Sequence, residues 1–218
     1  MSMVNKFIKT VIVGALAFTS LNAEDSNNFV PIIPGVKSLD ITLNGKTFTL
    51  QRNQDMKNKI SDLYNITARG VPQPIVLAKG VETIGELEFI DYMKKAQKDS
   101  NIAIIDTRTP GWYAKLRIPG AKNVPYTNFN DKYDAIDALE DYMGVVYKDD
   151  GSLDFSNAKT LVLYCNGYWC GQTPGMIKNA KYSLLTLGYP VDKIKYYRGG
   201  MQAWTSLGYT VAGSAAKN

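Results

Sequence analysis

The chain has 218 residues, 45% of them hydrophobic and 21% charged, with a formal net charge of +5, two cysteines and no histidine. The missing histidine excludes Ser–His, Cys–His and histidine–metal chemistry, and two cysteines alone make no zinc site. The charge is mild and scattered, with no lysine–arginine cluster among aromatics, so nucleic acid is not indicated as a partner.

Lys6 and Lys9, the apolar stretch Val11 to Phe18 and the small and polar residues up to Ala23 form the three-part pattern of a secretory signal peptide over residues 1–23. Its apolar core is too short for a bilayer anchor. Leu21 makes the cleavage site imperfect, and an uncleaved apolar helix is the alternative. Export to a bacterial periplasm is the expectation. Lys6 and Lys9 leave with the leader, so the formal charge falls from +5 to +3. No later apolar run is long enough for a membrane span.

Residues 24–80 read as an N-terminal extension without a chemical motif. Pro31 and Pro34 mark an extended lead-in. Leu39–Leu43 and Lys46–Leu50 then alternate around Asn44-Gly45, the strongest short hairpin signal. Residues 52–80 are ambiguous, weakly helical and then broken by Gly70, Pro72 and Pro74. A regular pattern starts at residue 81. Glu82 to Lys95 reads as helix, with Ile84, Leu87, Ile90 (or Phe89) and Met93 at helical spacing. Ile102–Ile105 reads as a buried strand ending at Asp106. Lys122–Pro125 is a short extended piece, Tyr133–Met143 a helix and Thr160–Tyr164 a strand. Thr173 fits an N-cap and Pro174 a first helical position, with Ile177, Ala180, Leu184 and Leu187 marking a buried stripe until Gly188. Lys193–Tyr197 is a strand, Arg198–Gly200 a turn and Met201–Ser206 a short helix. Strands alternating with helices predict an α/β fold with an open parallel sheet over residues 81–213, followed by a tail at 214–218.

The chemistry concentrates after Thr160–Tyr164. The strand ends in Cys165, the loop Asn166-Gly167-Tyr168-Trp169-Cys170-Gly171 follows, and Thr173-Pro174 opens a helix. That order places a thiol at the carboxyl end of a strand, where open α/β sheets bind ligands. Backbone N–H groups and a helix start there predict a depressed thiol pKa. Gly167 and Gly171 permit the turns of the loop. Phosphatase chemistry of the Cys-x5-Arg kind lacks its oxyanion clamp, because Gly171 stands six positions after Cys165.

Four motifs in order make residues 82–211 resemble a rhodanese-like domain: Ile104-Ile-Asp106-Thr-Arg108; Arg117-Ile-Pro-Gly-Ala121 with Asn123-Val-Pro125; Leu163-Tyr-Cys165; and Tyr197-Arg-Gly-Gly200 with Trp204 and Gly208–Val211. The resemblance implies sulfur transfer. Cys165 would take sulfane sulfur as a persulfide from a small sulfur compound, such as thiosulfate, a polysulfide or a low-molecular-weight persulfide. It would pass that sulfur to a thiol or another nucleophile, and no cofactor or metal is implied. Arg117 stands where the family usually has histidine. The loop has no arginine or lysine, which leaves Arg117 and Arg198 as the candidate anion contacts and favours a thiol or polysulfide donor over thiosulfate. Tyr168 and Trp169 form either an apolar lip over the sulfur or a packing surface for the extension.

Cys170 admits three readings: a thiol that resolves or modulates Cys165, a resting disulfide partner, or an inert buried residue. Asp106 and Arg108 read as organisers of the loops at the sheet edge, and Trp204 as core. Arg198 either lines the pocket or pairs with an acid. The expectation is a sulfurtransferase acting through Cys165. A dithiol/disulfide protein using Cys165 and Cys170, and a silent binding module, are the rivals.

Overall fold

A computed structural model of the chain describes residues 29–66 and 69–216. The leader expected over residues 1–23 lies outside the described residues. Two antiparallel strands, β1 (Ser38–Leu43) and β2 (Lys46–Gln51), form the hairpin, with Leu43 opposite Lys46. Asn44 (φ 51°) and Gly45 (φ 73°) both take left-handed backbone, as a two-residue hairpin turn requires.

The main sheet has five strands, all parallel: β3 (Glu82–Ile84), β4 (Ile102–Asp106), β5 (Lys122–Asn123), β8 (Thr160–Tyr164) and β9 (Ile194–Tyr197), in the order β3-β9-β8-β4-β5. A separate two-stranded ribbon pairs β6 (Val146–Tyr147) with β7 (Leu153–Asp154). The central strands are apolar because both faces are covered. Leu161, Val162, Leu163 and Tyr164 are all fully buried.

One face carries α1 (Glu86–Ala96) and α5 (Gly200–Ser206), packed through Phe89, Met93, Met201 and Trp204. The other carries α3 (Lys132–Met143), packed through Ala135, Leu139 and Met143. Asp131 caps α3 by accepting from the N–H groups of Tyr133 and Asp134, and Gly144 ends it at φ 71°. A short α2 (Pro110–Lys115) lies between β4 and β5.

Two expected elements differ. Glu82–Ile84 is an edge strand rather than the start of a helix, because it pairs in parallel with Lys195–Tyr197. Leu87, expected on the buried stripe, is 51% exposed, and Phe89 takes its place. The helix expected from Thr173 to Gly188 is only one turn, α4 (Gln172–Pro174), followed by a π-turn at Gly175–Asn179. Ala180 is then extended, and the chain folds back so that Leu184 and Leu185 donate to the carbonyls of Met176 and Ile177. No helix among the described residues is long and apolar enough to cross a membrane.

Candidate active site: the Cys165–Gly171 loop

Strand β8 delivers Cys165 to the carboxyl edge of the sheet, and α5 holds it there. The Cys165 carbonyl accepts from Met201 N–H (3.0 Å) and the Asn166 carbonyl from Gln202 N–H (2.9 Å). This approach dictates a glycine at position 200. Gly200 has φ 53°, and a Cβ there would overlap the Cys165 carbonyl. Gly167 is equally confined, since its Cβ would lie 2.7 Å from Gln202 Oε1. Within the loop, Cys170 N–H donates to Gly167 O at 2.9 Å.

Both cysteines are free and buried, Cys165 to 1% exposure and Cys170 to 3%. The Cys165 thiol donates to the Cys170 carbonyl at 3.5 Å, and Cys170 Sγ lies 3.7 Å from Gln172 Oε1. Sequence reasoning places the depressed pKa on Cys165; the structure places it on Cys170. Burial pushes the Cys165 thiol well up. The Cys170 thiol is lowered to about 7, first by a hydrogen bond from Cys165 and then by the backbone N–H groups of Gln172 and Asn166. The physical reason is that burial outweighs the Thr173 hydroxyl and N–H that favour a Cys165 thiolate, and α4, at one turn, has little macrodipole to add. Burial thus works against a thiolate at Cys165, while the polar groups around Cys170 favour one there.

Beneath the loop lies a buried polar scaffold. Arg108 clamps Asp106 through Nε–Oδ1 (2.8 Å) and Nη2–Oδ2 (2.5 Å), with both side chains fully buried. It also donates to Tyr64 Oη (2.5 Å), Asn166 Oδ1 (3.3 Å) and Leu116 O (2.6 Å). Tyr64 in turn donates to Asn166 Oδ1 at 2.9 Å. Asp106 and Arg108 thus fix Asn166, the residue after Cys165, rather than face the thiols. Thr107 Oγ1 lies 2.8 Å from Thr173 Oγ1 and 2.9 Å from Tyr164 O, tying the far side of the loop to β8.

The extension crosses the loop. Gln73 N–H donates to Tyr168 O (2.7 Å), Gln73 Nε2 to Trp169 O (3.3 Å), and Gln202 Nε2 to Ile66 O (2.6 Å). Arg198, one of the two expected anion contacts, spends its Nε on Gln73 O (2.8 Å) and lies over the Tyr168 ring. Arg117, the other, is drawn away. Its backbone pairs with Ala212, and its guanidinium stacks on Tyr113. There it lines a cleft of about 550 Å³ with Lys46, Phe48, Lys122 and Tyr142. A second cation at the loop, besides Arg198, is Arg69, placed over the rings of Trp112 and Trp169. Tyr168 is 39% exposed at the rim, whereas Trp169 is partly covered by the extension. Gly171 is open, its nearest neighbour beyond the loop being Gln73.

Tyr64, Arg69 and Gln73 are the site neighbours that sequence reasoning misses, because residues 52–80 carry no periodic or motif signal. Gln202 and Thr173 lie inside recognised segments, but only the fold shows what they touch. Among the described residues no group of three or more Cys, Asp or Glu is arranged to hold a metal ion.

Parallel sheet, strand-end cysteine and glycine-bound loop agree with the family to which the chain belongs: residues 89–207 match the rhodanese-like domain, over half the chain, and the protein is a member of that family. A curated relative, the thiosulfate:glutathione sulfurtransferase of Saccharomyces cerevisiae, is 31% identical over 133 residues, covering 60% of this chain and 85% of the relative. Among solved structures, a Bacillus halodurans protein matches with TM-score 0.44 and 20% identity, covering 62% of this chain and 79% of its own. A Rhodopseudomonas palustris protein of unknown function, a possible tyrosine phosphatase, matches with TM-score 0.40 and 20% identity, covering 66% and 100%.

Proposed function

We propose that this protein is a sulfurtransferase that carries sulfane sulfur as a persulfide on Cys165 and hands it to a thiol. Membership of the rhodanese-like family and a sulfurtransferase relative support transfer of sulfur in general. The observation that carries the finer reading is the position of Cys165, held at the end of β8 by Met201 N–H and Gly200.

The chain has no histidine, so the proton of Cys165 needs another acceptor. Cys170, whose thiol is lowered to about 7, is the neighbouring group, and the Cys165 thiol already bonds its carbonyl. As Cys165 Sγ attacks the sulfane sulfur of the donor, its proton passes to Cys170. With thiosulfate, the new S–S bond forms as the old one breaks, and sulfite leaves with the bonding electron pair. An acceptor thiolate then attacks the outer sulfur, takes it as its own persulfide and leaves Cys165 as thiolate. No external oxidant or reductant is consumed. Polysulfide or a small persulfide enters the same cycle with a different leaving group. Because Arg117 is remote, Arg69 and Arg198 are the cations available to a charged donor.

The two free cysteines, linked by the Cys165 thiol's bond to the Cys170 carbonyl, also support a second reading, a dithiol/disulfide protein using Cys165 and Cys170. Intact-protein mass spectrometry separates the two, with the chain measured as purified, reduced, and reduced then treated with thiosulfate or polysulfide. One added sulfur mapped to Cys165 is the expected result. An unmodified thiol with every donor, together with a Cys165–Cys170 disulfide that forms and breaks reversibly, would overturn the transferase reading in favour of the redox one.

The leader sequence supports a periplasmic location. Expressed in a bacterium, the mature chain is expected in the periplasmic fraction, beginning at Glu24; a cytoplasmic chain retaining its N-terminus would overturn that assignment.

A further inference from the structure

Five tyrosines among the described residues are exposed by 3% or less: Tyr64, Tyr164, Tyr189, Tyr196 and Tyr197. Four of their hydroxyls are paired. Tyr64 bonds Arg108 and Asn166, Tyr164 accepts from Ile118 N–H (3.2 Å), and Tyr189 donates to Lys159 O (2.6 Å). Tyr197 donates to Glu86 Oε1 at 3.0 Å. Tyr196 alone has a buried hydroxyl with no partner among the described residues, at 0% exposure. Buried hydroxyls in native proteins are nearly always paired, since an unpaired one carries its full desolvation cost.

Its place in the fold is specific. Tyr196 sits on β9 directly beside Leu163 of β8. Cys165 is the residue immediately after β8, two beyond Leu163, so Tyr196 stands one strand over from the base of the loop. The ionisable groups that act on Tyr196 are Cys165, Arg198 and Cys170, all in the loop or against it. Burial raises its own pKa, so the hydroxyl keeps its proton at neutral pH and remains a donor.

A resting thiol and a loaded one differ by one sulfur atom, which carries the negative charge of the persulfide. We propose that the Tyr196 hydroxyl is the hydrogen-bond donor to the outer, anionic sulfur of the Cys165 persulfide. This inference rests on the persulfide reading above and assigns a binding group for the carried atom that lies outside the loop, on the neighbouring strand. In the unloaded protein the donor waits without an acceptor; loading supplies one.

Tyr196→Phe removes the hydroxyl and nothing else. No resting hydrogen bond is lost, so thermal stability is expected to be unchanged or higher. Loading with thiosulfate or polysulfide is expected to slow about tenfold. The loaded form is expected to lose its sulfur faster in the absence of acceptor, and its persulfide to ionise at a higher pH. Tyr197→Phe is the control: it removes the bond to Glu86, so it lowers stability and leaves loading per folded molecule unchanged. Wild-type loading, retention and persulfide ionisation in Tyr196→Phe would overturn the inference, as would a fall in stability with unchanged specific loading. A wild-type chain that takes up no sulfur from any donor would overturn this assignment and the persulfide reading together, whereas loss confined to the variant's comparison leaves that reading standing.

Discussion

Cys165 takes its position from the sheet. Its carbonyl is held by α5, its neighbour Asn166 by the Asp106–Arg108–Tyr64 scaffold, and its sulfur lies in a desolvated layer that raises its pKa. Cys170, five residues on, takes its character from the loop, where two amides and the other thiol lower it to about 7. One end of the loop is fixed by the fold and the other tuned by local polarity. On the proposed mechanism, the division would let a chain without histidine place nucleophile and proton acceptor on two chemically identical side chains by giving them different surroundings.

The largest test of that division is Cys165→Ser, expected to cut sulfur loading by about 10³-fold or more while leaving the fold intact; persistent loading would transfer the nucleophile to Cys170. Next is Arg108→Leu, which leaves Asp106 buried and unpaired. It is expected to cost about 3–5 kcal/mol in denaturant unfolding, and an unchanged midpoint would show that the scaffold does not hold the Cys165 end.

Cys170→Ser is expected to spare persulfide formation but slow it by about 10²-fold at neutral pH. The pH profile sharpens this point. Because the Cys170 pKa is lowered to about 7, its thiolate accumulates as pH rises through that value. Loading by wild type should therefore climb through pH 7, and alkylation of Cys170 should show the same inflection. In Cys170→Ser the rise should move to higher pH, toward the raised pKa of Cys165. A profile with no inflection near 7 in the wild type would place the proton elsewhere.

Tyr64→Phe removes the hydroxyl that Asn166 and Arg108 share, with an expected loss of about 1–3 kcal/mol, read by thermal unfolding. The smallest effect is reserved for Arg117→Ala. Stacked on Tyr113 and remote from the loop, it is expected to leave the concentration dependence for thiosulfate unchanged. Arg69→Ala, assayed in parallel, should raise the thiosulfate concentration needed for half-maximal rate several-fold.

Much of this arrangement is legible in the sequence, for local reasons. The hairpin follows from Asn44-Gly45 between alternating strands, and β4, β8 and β9 from short apolar runs bounded by polar turns. Cys165 is found because its strand, loop and glycines are contiguous. What escapes is written at long range. Glu82–Ile84 becomes a strand only because β9 lies beside it, more than 100 residues later. The apolar spacing Ile177, Ala180, Leu184 suggests a helix, yet the turn at Ala180 buries the same residues without one. Gln73 and Tyr168, 95 positions apart, meet through a backbone hydrogen bond that no side-chain pattern advertises. The pKa order of the two thiols depends on which way the loop's amides point, information that spacing does not carry.

The family match spans residues 89–207, but the apolar core disregards that border. Ile32, Ile41, Leu43, Leu50 and Tyr64 pack in one cluster with Phe89, Tyr164 and Trp204, and Asn53 N–H and Thr210 N–H stitch the two parts with backbone bonds to Gly208 and Gln51. Family membership and cooperative unit are therefore different objects here. A recombinant fragment cut at the family's own limits would expose a greasy face and shed the clasp over its thiols, so trimming, grafting or domain-shuffling of this protein has to carry the chain from about residue 29 onward.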